Sequence, residues 1–303
     1  MRLRFFTEAL AVKFNVRAGI GNKSLKGVFD LSESLQFSGL WAVILGGSSG
    51  FGFAAVGKLA SHGMNIAVLY RETSAAEKSL KQQLIKIAEA NSITILPYNT
   101  NALDQAGRES FIKDFAAIAP KHSVKLLLHS IARGNLKPLA DKVSPTGGDL
   151  EGALLSADDI QLTSYAMSTS LLDWARLLLN AGLFNNDGRI IALTSEGAHK
   201  YWEGYAAVSI AKSSLESLAK YMAVEFSVHG LKTNVIQAGI TETTSFKKIP
   251  GSEQLVELNT QRNPFGRMTK PEDVSGVIYL LCTDEAKWIN GALIHVDGGE
   301  HCR

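Results

Sequence analysis

The stretch that most constrains this chain is Leu40-Trp-Ala-Val-Ile-Leu45, followed at once by Gly46-Gly-Ser-Ser-Gly50-Phe-Gly52. An apolar run of strand length, a glycine turn and a helical segment through Ala54, Val56, Leu59 and Ala60 aim backbone N–H groups and a helix N-terminus at a phosphate. Asn65-Ile-Ala-Val-Leu-Tyr70 reads as a second strand, which completes a βαβ unit of about thirty residues. Glycine turns also end helices and make hairpins. With a strand before it and a helix after it, this one reads as a dinucleotide turn.

The same rhythm runs to the end of the chain. Helical pattern covers Glu77 to Ala90, and a short strand runs from Ser92 to Pro97 before Tyr98 to Asn101. Asp104 is placed to cap a helix over Arg108 to Ile118. Val124 to Leu128 is a central strand with His129-Ser-Ile-Ala132 at its carboxyl end. A long helix is expected from about Asp158 to Ala181, then strands at Arg189–Leu193, Lys232–Gln237 and Ala292–Val296, with Pro271 opening the last helix. The expected fold class is α/β: a doubly wound parallel sheet of Rossmann type, a single domain over 38–303 with an N-terminal extension over 1–37.

That extension is basic, with Arg2, Arg4, Lys13, Arg17, Lys23 and Lys26 against Glu8 up to Val28. A targeting or membrane-surface helix is one reading. Gly19 and Gly21 interrupt the apolar face of Leu3, Phe6 and Leu10, which favours a packing arm. Over the whole chain 31 basic residues oppose 29 acidic ones, too even a balance to make nucleic acid the main partner. Two cysteines, Cys282 and Cys302, offer neither a zinc site nor a disulfide framework. No apolar run is long enough to form a transmembrane segment, so a cytoplasmic location is expected.

Two further features carry chemistry. The second strand ends in Tyr70-Arg71-Glu72. An acid there suits the ribose hydroxyl of NAD, whereas Arg71 suits the 2′-phosphate of NADP, so NADPH is expected ahead of NADH. The bland alternative is a solvated strand-end charge. The other feature is Tyr205-Ala-Ala-Val-Ser-Ile-Ala-Lys212, in which two helical turns return Lys212 to nearly the face of Tyr205. A phenol near pKa 10 is a weak acid until something assists it, and a nearby ammonium is one such aid. The segment Gly134 to Asp158, with Pro138, Pro145, Gly147 and Gly148, is long for a connection and follows a central strand, on the edge where ligands sit.

From Leu40 to Gly299 the chain resembles the short-chain dehydrogenase/reductase superfamily. The resemblance rests on Gly46, Gly50 and Gly52, on Asn101-Ala-Leu-Asp104, and on Asn263-Pro-Phe-Gly-Arg-Met, Pro271-Glu-Asp-Val and Val296-Asp-Gly-Gly299. His129-Ser-Ile-Ala132, Ser164 and the six-residue gap between Tyr205 and Lys212 are similar to the bacterial-type enoyl-acyl-carrier-protein reductases, and Lys200-Tyr-Trp-Glu-Gly-Tyr205 to their NADPH-dependent subgroup.

This resemblance implies reduction of an enoyl thioester, carried on acyl carrier protein or coenzyme A, by a homotetramer or homodimer. It implies that Tyr205 stabilises the oxyanion and that Lys212 holds ribose and biases the phenol downward. Cofactor contacts are implied at Gly46, Ser48, Ser49, Gly50, Phe51, Gly52, Arg71, Asn101, Ser130, Ile131, Thr194, Lys212, Ala238, Ile240 and Thr243. Substrate contacts are implied at Ala132, Tyr201, Tyr205 and Phe246, with Ile249, Leu255 and Leu258 covering an acyl chain.

Ser195 has two readings. Counted from its strand it stands where carbonyl-reducing relatives keep a catalytic Ser; counted back from Tyr205 it stands where many enoyl reductases keep a second Tyr. The first count supports a 3-oxoacyl or small-ketone reductase with Ser195, Tyr205 and Lys212 as the catalytic set. A dinucleotide-binding scaffold without turnover is the remaining alternative.

Overall fold

The computed structural model describes residues 36–140, 154–243, 246 and 252–303. The basic arm, Pro145, Gly147, Gly148, Ile249 and the side chains of Leu255 and Leu258 lie outside the described set.

The chain alternates β1 (Trp41–Leu45), α1 (Gly50–Ala60), β2 (Asn65–Tyr70), α2 (Ser74–Asn91), β3 (Ile95–Asn99), α3 (Gln105–Ala116) and β4 (Val124–His129). After these come α4 (Ala157–Ser164), α5 (Ser170–Asn180), β5 (Phe184–Ser195), α6 (Ala206–Glu225), β6 (Lys232–Ala238), α7 (Ser252–Arg262), α8 (Pro271–Cys282) and β7 (Leu293–Val296). The seven strands form one sheet in the order β3-β2-β1-β4-β5-β6-β7, and every neighbouring pair is parallel. The order reverses between β1 and β4. Ligands of open α/β sheets bind beyond the strand ends at such a reversal.

Strand periodicity splits the core into two layers. Ala42 and Ile44 of β1 join Ala55 and Leu59 of α1 and Ile278 of α8 on one face. Trp41, Val43 and Leu45 join Phe111, Trp174 and Leu215 on the other, where α3, α5 and α6 pack. Both faces of β1, β2 and β4 are covered, which is why these strands read as unbroken apolar runs. Asp104 caps α3 by accepting from the Gly107 N–H at 3.2 Å, and Pro271 opens α8, both as the sequence predicts.

Two local features depart from the expected elements. The expected helix from Asp158 to Ala181 is interrupted by a π-helical turn over Tyr165–Thr169. Within and just after it, Ser168 donates to Ser214 of α6 and Ser170 back-bonds to the Ala166 carbonyl. Hydroxyls that compete for helix carbonyls loosen the regular ladder. Tyr205 lies just before α6 rather than within it, with φ −97° and ψ 5°. Its side chain therefore leaves the helix at the sheet's carboxyl edge.

Candidate active site

Two clefts open at the carboxyl ends of the strands. The first, of about 270 Å³, is lined by Gly46, Ser48, Ser49, Gly50 and Phe51 of the glycine turn, by Tyr70 and Arg71, by Asn101, by Ser130 to Arg133, and by Thr243. Its shape depends on missing side chains. A Cβ on Gly46, where φ is +82°, would lie 2.5 Å from the Ser130 carbonyl, and one on Gly52 would lie 2.3 Å from the Gly46 carbonyl. The turn is thus pressed against β4 on one side and against α1 on the other. Ser49, the residue before α1, makes no side-chain bond to the helix N–H groups. Those first-turn donors are left for an anion.

Arg71 lines this cleft, and no hydrogen bond or ion pair holds its guanidinium among the described residues. Glu72 does not line it, and its backbone is fixed by Asn99 through two 3.0 Å bonds. A backbone cradle, uncapped helix donors and a free guanidinium at the far end of the turn fit a phosphorylated dinucleotide. Ala132, expected on the substrate side, lines this cleft instead, because it leaves the end of β4 beside the turn. Arg133 is a cleft residue that no motif signalled. Gly52 lines neither cleft and serves by letting α1 start close to the turn.

The second cleft, about 170 Å³, gathers Phe51, Thr194, Ser195, Trp202, Tyr205, Ala238, Ile240 and Phe246. Tyr205 is packed so closely on Gly197 that a Cβ there would meet its ring at 2.5 Å. Its hydroxyl is 3.3 Å from Ser195 Oγ. The structure therefore brings together the two residues that the sequence left ten apart. Burial pushes the Tyr205 phenol above its ordinary value, and the bond with Ser195 acts against that.

Lys212 is buried, lines neither cleft, and donates from Nζ to the Leu193 carbonyl at 2.7 Å. Its ammonium is brought down to about 8 by loss of water, with Glu216 opposing. The expected downward pull of Lys212 on the phenol is not found; Ser195 is the group that lowers it. Thr194 turns its hydroxyl onto Glu216 at 2.7 Å. His129 shares a 2.9 Å hydrogen bond with Ser170, and burial together with Lys212 holds the imidazole down at about 3, so it is neutral.

Tyr201 shares a surface pocket with Trp202 and Tyr205, a rim position. It is 88% exposed and lines neither cleft, whereas its neighbour Trp202 takes the wall position. Phe246 is buried in the wall of this cleft. Glu196, Asp297 and Glu300 also line this cleft. The sequence assigned none of them a role in the site, although Asp297 belongs to the Val296-Asp-Gly-Gly299 signature and Glu300 directly follows it. Among the described residues no group of His, Cys, Asp and Glu is arranged to hold a metal, and no helix is long and apolar enough to cross a membrane.

Comparison with known proteins extends this picture. A family model described as Enoyl-(Acyl carrier protein) reductase matches residues 46–301. The NADH-type enoyl-[acyl-carrier-protein] reductase FabI of Aquifex aeolicus is 34% identical over 179 residues, which cover 59% of this chain and 63% of that protein. The match thus spans less than two thirds of that relative. The NADPH-type FabI of Staphylococcus aureus strain MRSA252 is 29% identical over 255 residues, 84% of this chain and 92% of the relative. The crystal structure of the Aquifex aeolicus NADH reductase superposes with a TM-score of 0.73 at 25% identity, covering 88% of this chain and 98% of that one.

Proposed function

The chain belongs to the Enoyl-(Acyl carrier protein) reductase family of short-chain dehydrogenases/reductases, and from that premise we propose that it reduces the 2,3 double bond of an enoyl thioester with NADPH. The observation that carries this reading is the Tyr205 hydroxyl, set in a largely apolar cleft beside the dinucleotide turn. When bound, the nicotinamide supplies a hydride to the β-carbon of the substrate.

As electrons move toward the thioester, negative charge gathers on its carbonyl oxygen. Tyr205 donates a hydrogen bond to that oxygen, and a donor aimed at developing charge in a dry site is worth several kcal/mol, about 2.7–4. Burial keeps the phenol protonated at neutral pH, so it is always ready to donate. The enolate's α-carbon then takes a proton from solvent water, and the oxygen returns to a carbonyl. Lys212 adds a fixed positive charge beneath β5 and would hold the ribose hydroxyls.

The first-turn donors of α1 and the backbone of Gly46 and Ser48–Gly50 would hold the pyrophosphate. Arg71 would hold the 2′-phosphate. Support for NADPH over NADH is that Arg71 lines the cleft with no partner among the described residues, whereas Glu72 does not line it. Phe246 and Trp202 would contact the acyl group, and the backbone of Ile240 would face the nicotinamide carboxamide. The substrate would ride on acyl carrier protein, and residues 38–303 would be the catalytic domain of a cytoplasmic homo-oligomer with 1–37 as its arm.

A second reading has its own observation. The 3.3 Å contact of Ser195 with Tyr205 is the geometry needed to polarise a ketone and protonate its oxygen. Pure protein mixed with NADPH or NADH, and with crotonyl-CoA or acetoacetyl-CoA, separates the two. Loss of NADPH absorbance with crotonyl-CoA alone is the expected result. Consumption with acetoacetyl-CoA alone would replace the enoyl reading by the ketone one, and binding without consumption would leave a scaffold.

A further inference from the structure

Arg262, the last residue of α7, is outside every motif, yet it joins three separate segments at the catalytic cleft. Its Nη1 donates to Glu196 Oε2 at 2.7 Å, and its Nη2 donates to Glu196 Oε1. Nη2 also donates to the Glu300 carbonyl at 2.9 Å, and Nε to the Arg303 carbonyl at 3.0 Å. The next residue, Asn263, donates to the Asp297 carbonyl at 2.8 Å.

The two ends of this span are opposite walls of one cleft. Glu196 follows Ser195 directly at the end of β5, and Asp297 and Glu300 follow β7; all of them line the cleft. None of the dinucleotide cleft's lining residues takes part. Glu196 is nearly buried, and Lys200 is its other cation at 2.5 Å. A buried ion pair gives little net stability over an apolar pair of similar size, because desolvation offsets the attraction. What a bidentate guanidinium does supply is a fixed angle and distance between the groups it joins.

We propose that Arg262 is a positioning residue for substrate: it staples the β5 wall to the β7 wall, sets the width of the thioester cleft, and holds Ser195 against Tyr205. The proposal rests on the cleft being the thioester site. It assigns Arg262 no contact with substrate or cofactor. A merely structural role would weaken everything the domain binds; the staple acts on one cleft and spares the other.

The test is a double-mutant cycle of Arg262→Gln, Glu196→Gln and the pair, with Arg262→Lys as the conservative variant. Trp202 lines the cleft, so thioester binding is read by tryptophan fluorescence in the presence of NADP⁺, without need for turnover. Crotonyl-CoA and acetoacetyl-CoA are the probes. For whichever wild-type protein binds, Arg262→Gln is expected to raise Kd about tenfold, in the range of a lost charged hydrogen bond. NADPH affinity should stay within about twofold, Arg262→Lys should recover part of the loss, and the double variant should be no worse than the worse single one.

Unchanged thioester binding in Arg262→Gln, an equal loss of NADPH affinity, or additive losses in the cycle would each overturn the staple. So would a wild-type protein that binds neither thioester. Failure of the enoyl reading looks different: the wild-type protein alone would show it, by consuming NADPH only with acetoacetyl-CoA.

Discussion

The dinucleotide cleft and the catalytic cleft sit side by side on one sheet edge, yet they are made of different materials. The first is built around the glycine turn, and Arg71 and Arg133 are its charged lining residues among the described ones. Its geometry depends on the absence of Cβ atoms at Gly46 and Gly52. The second has three carboxyl groups in its walls and a phenol beside Ser195, with Lys212 buried against the Leu193 carbonyl of the same strand. A backbone cradle binds any ligand of the right shape and charge. A cleft with buried ionisable groups can hold protons and charge in fixed places, which is what chemistry needs.

This difference predicts which substitutions abolish binding and which abolish only turnover. The largest effect is expected at Gly52. A Cβ there would sit 2.3 Å from one backbone carbonyl and 3.1 Å from the Gly47 Cα, so Gly52→Ala must move the turn. NADPH affinity measured by fluorescence should fall by about 100-fold or more, or the protein should fail to fold, since backbone cannot yield as a side-chain tip can. Gly57, on the same helix, has nothing within 4 Å of its missing Cβ. Gly57→Ala is therefore the control, expected to stabilise by about 0.5–1 kcal/mol. If the two variants behaved alike, the cradle would not be what shapes the cofactor cleft.

Tyr205→Phe comes next and should show the opposite split. Turnover with crotonyl-CoA should drop by about 10²–10³-fold while NADPH affinity is unchanged, because Tyr205 does not line the glycine-turn cleft. Retained turnover would remove Tyr205 from the chemistry.

Lys212, which lines neither cleft, tests whether the core beside Leu193 stores an unfavourable charge. Its folded value is about 8 against an ordinary 10.5. Between those two pH values the unfolded chain binds the proton and the folded protein does not, so folding stability rises with pH there. That stability is complete above about 10.5 and is lost as pH falls through about 8. The slope from one group is at most about 1.4 kcal/mol per pH unit. Urea denaturation of empty wild-type protein and of Lys212→Met, compared from pH 7.5 to 10.5, should give curves that converge or cross as this rise is removed. Parallel curves would mean that the ammonium is not strained.

The contrast between the clefts also explains what could be read in the chain. Strand, glycine turn and helix are contiguous, so spacing alone located the cofactor cleft, and the alternation of apolar runs located the parallel sheet. The catalytic cleft draws Phe51, Ser195, Trp202, Ile240, Phe246 and Glu300 from distant segments. No spacing links Arg262 to Glu196, sixty-six residues apart. Tyr201 and Trp202 are adjacent in a loop, and a loop position does not reveal that only Trp202 reaches the second cleft. Ala132 was expected on the substrate side, whereas the end of β4 lines only the first cleft. The π-helical turn was hidden for a similar reason: Ser168 within it donates to Ser214 of α6, a partner that only the fold supplies.

The smallest predicted effect is the one that decides between ketone and alkene chemistry. Ser195 touches Tyr205 at 3.3 Å and is the group that holds the buried phenol back from rising further. In alkene reduction the phenol only donates a hydrogen bond, so a somewhat higher value costs little. Ser195→Ala should then slow crotonyl-CoA reduction less than about tenfold, the loss of one neutral hydrogen bond. Any basic limb set by the phenol in the pH profile should move to higher pH, since removing the lowering partner leaves burial unopposed. In ketone reduction the phenol must give up its proton and Ser195 must polarise the carbonyl, so the same substitution would cost 10²-fold or more, a figure typical of a lost oxyanion donor. A large loss on acetoacetyl-CoA with little on crotonyl-CoA would show one cleft serving two reactions through one tyrosine, with Ser195 needed for only one of them.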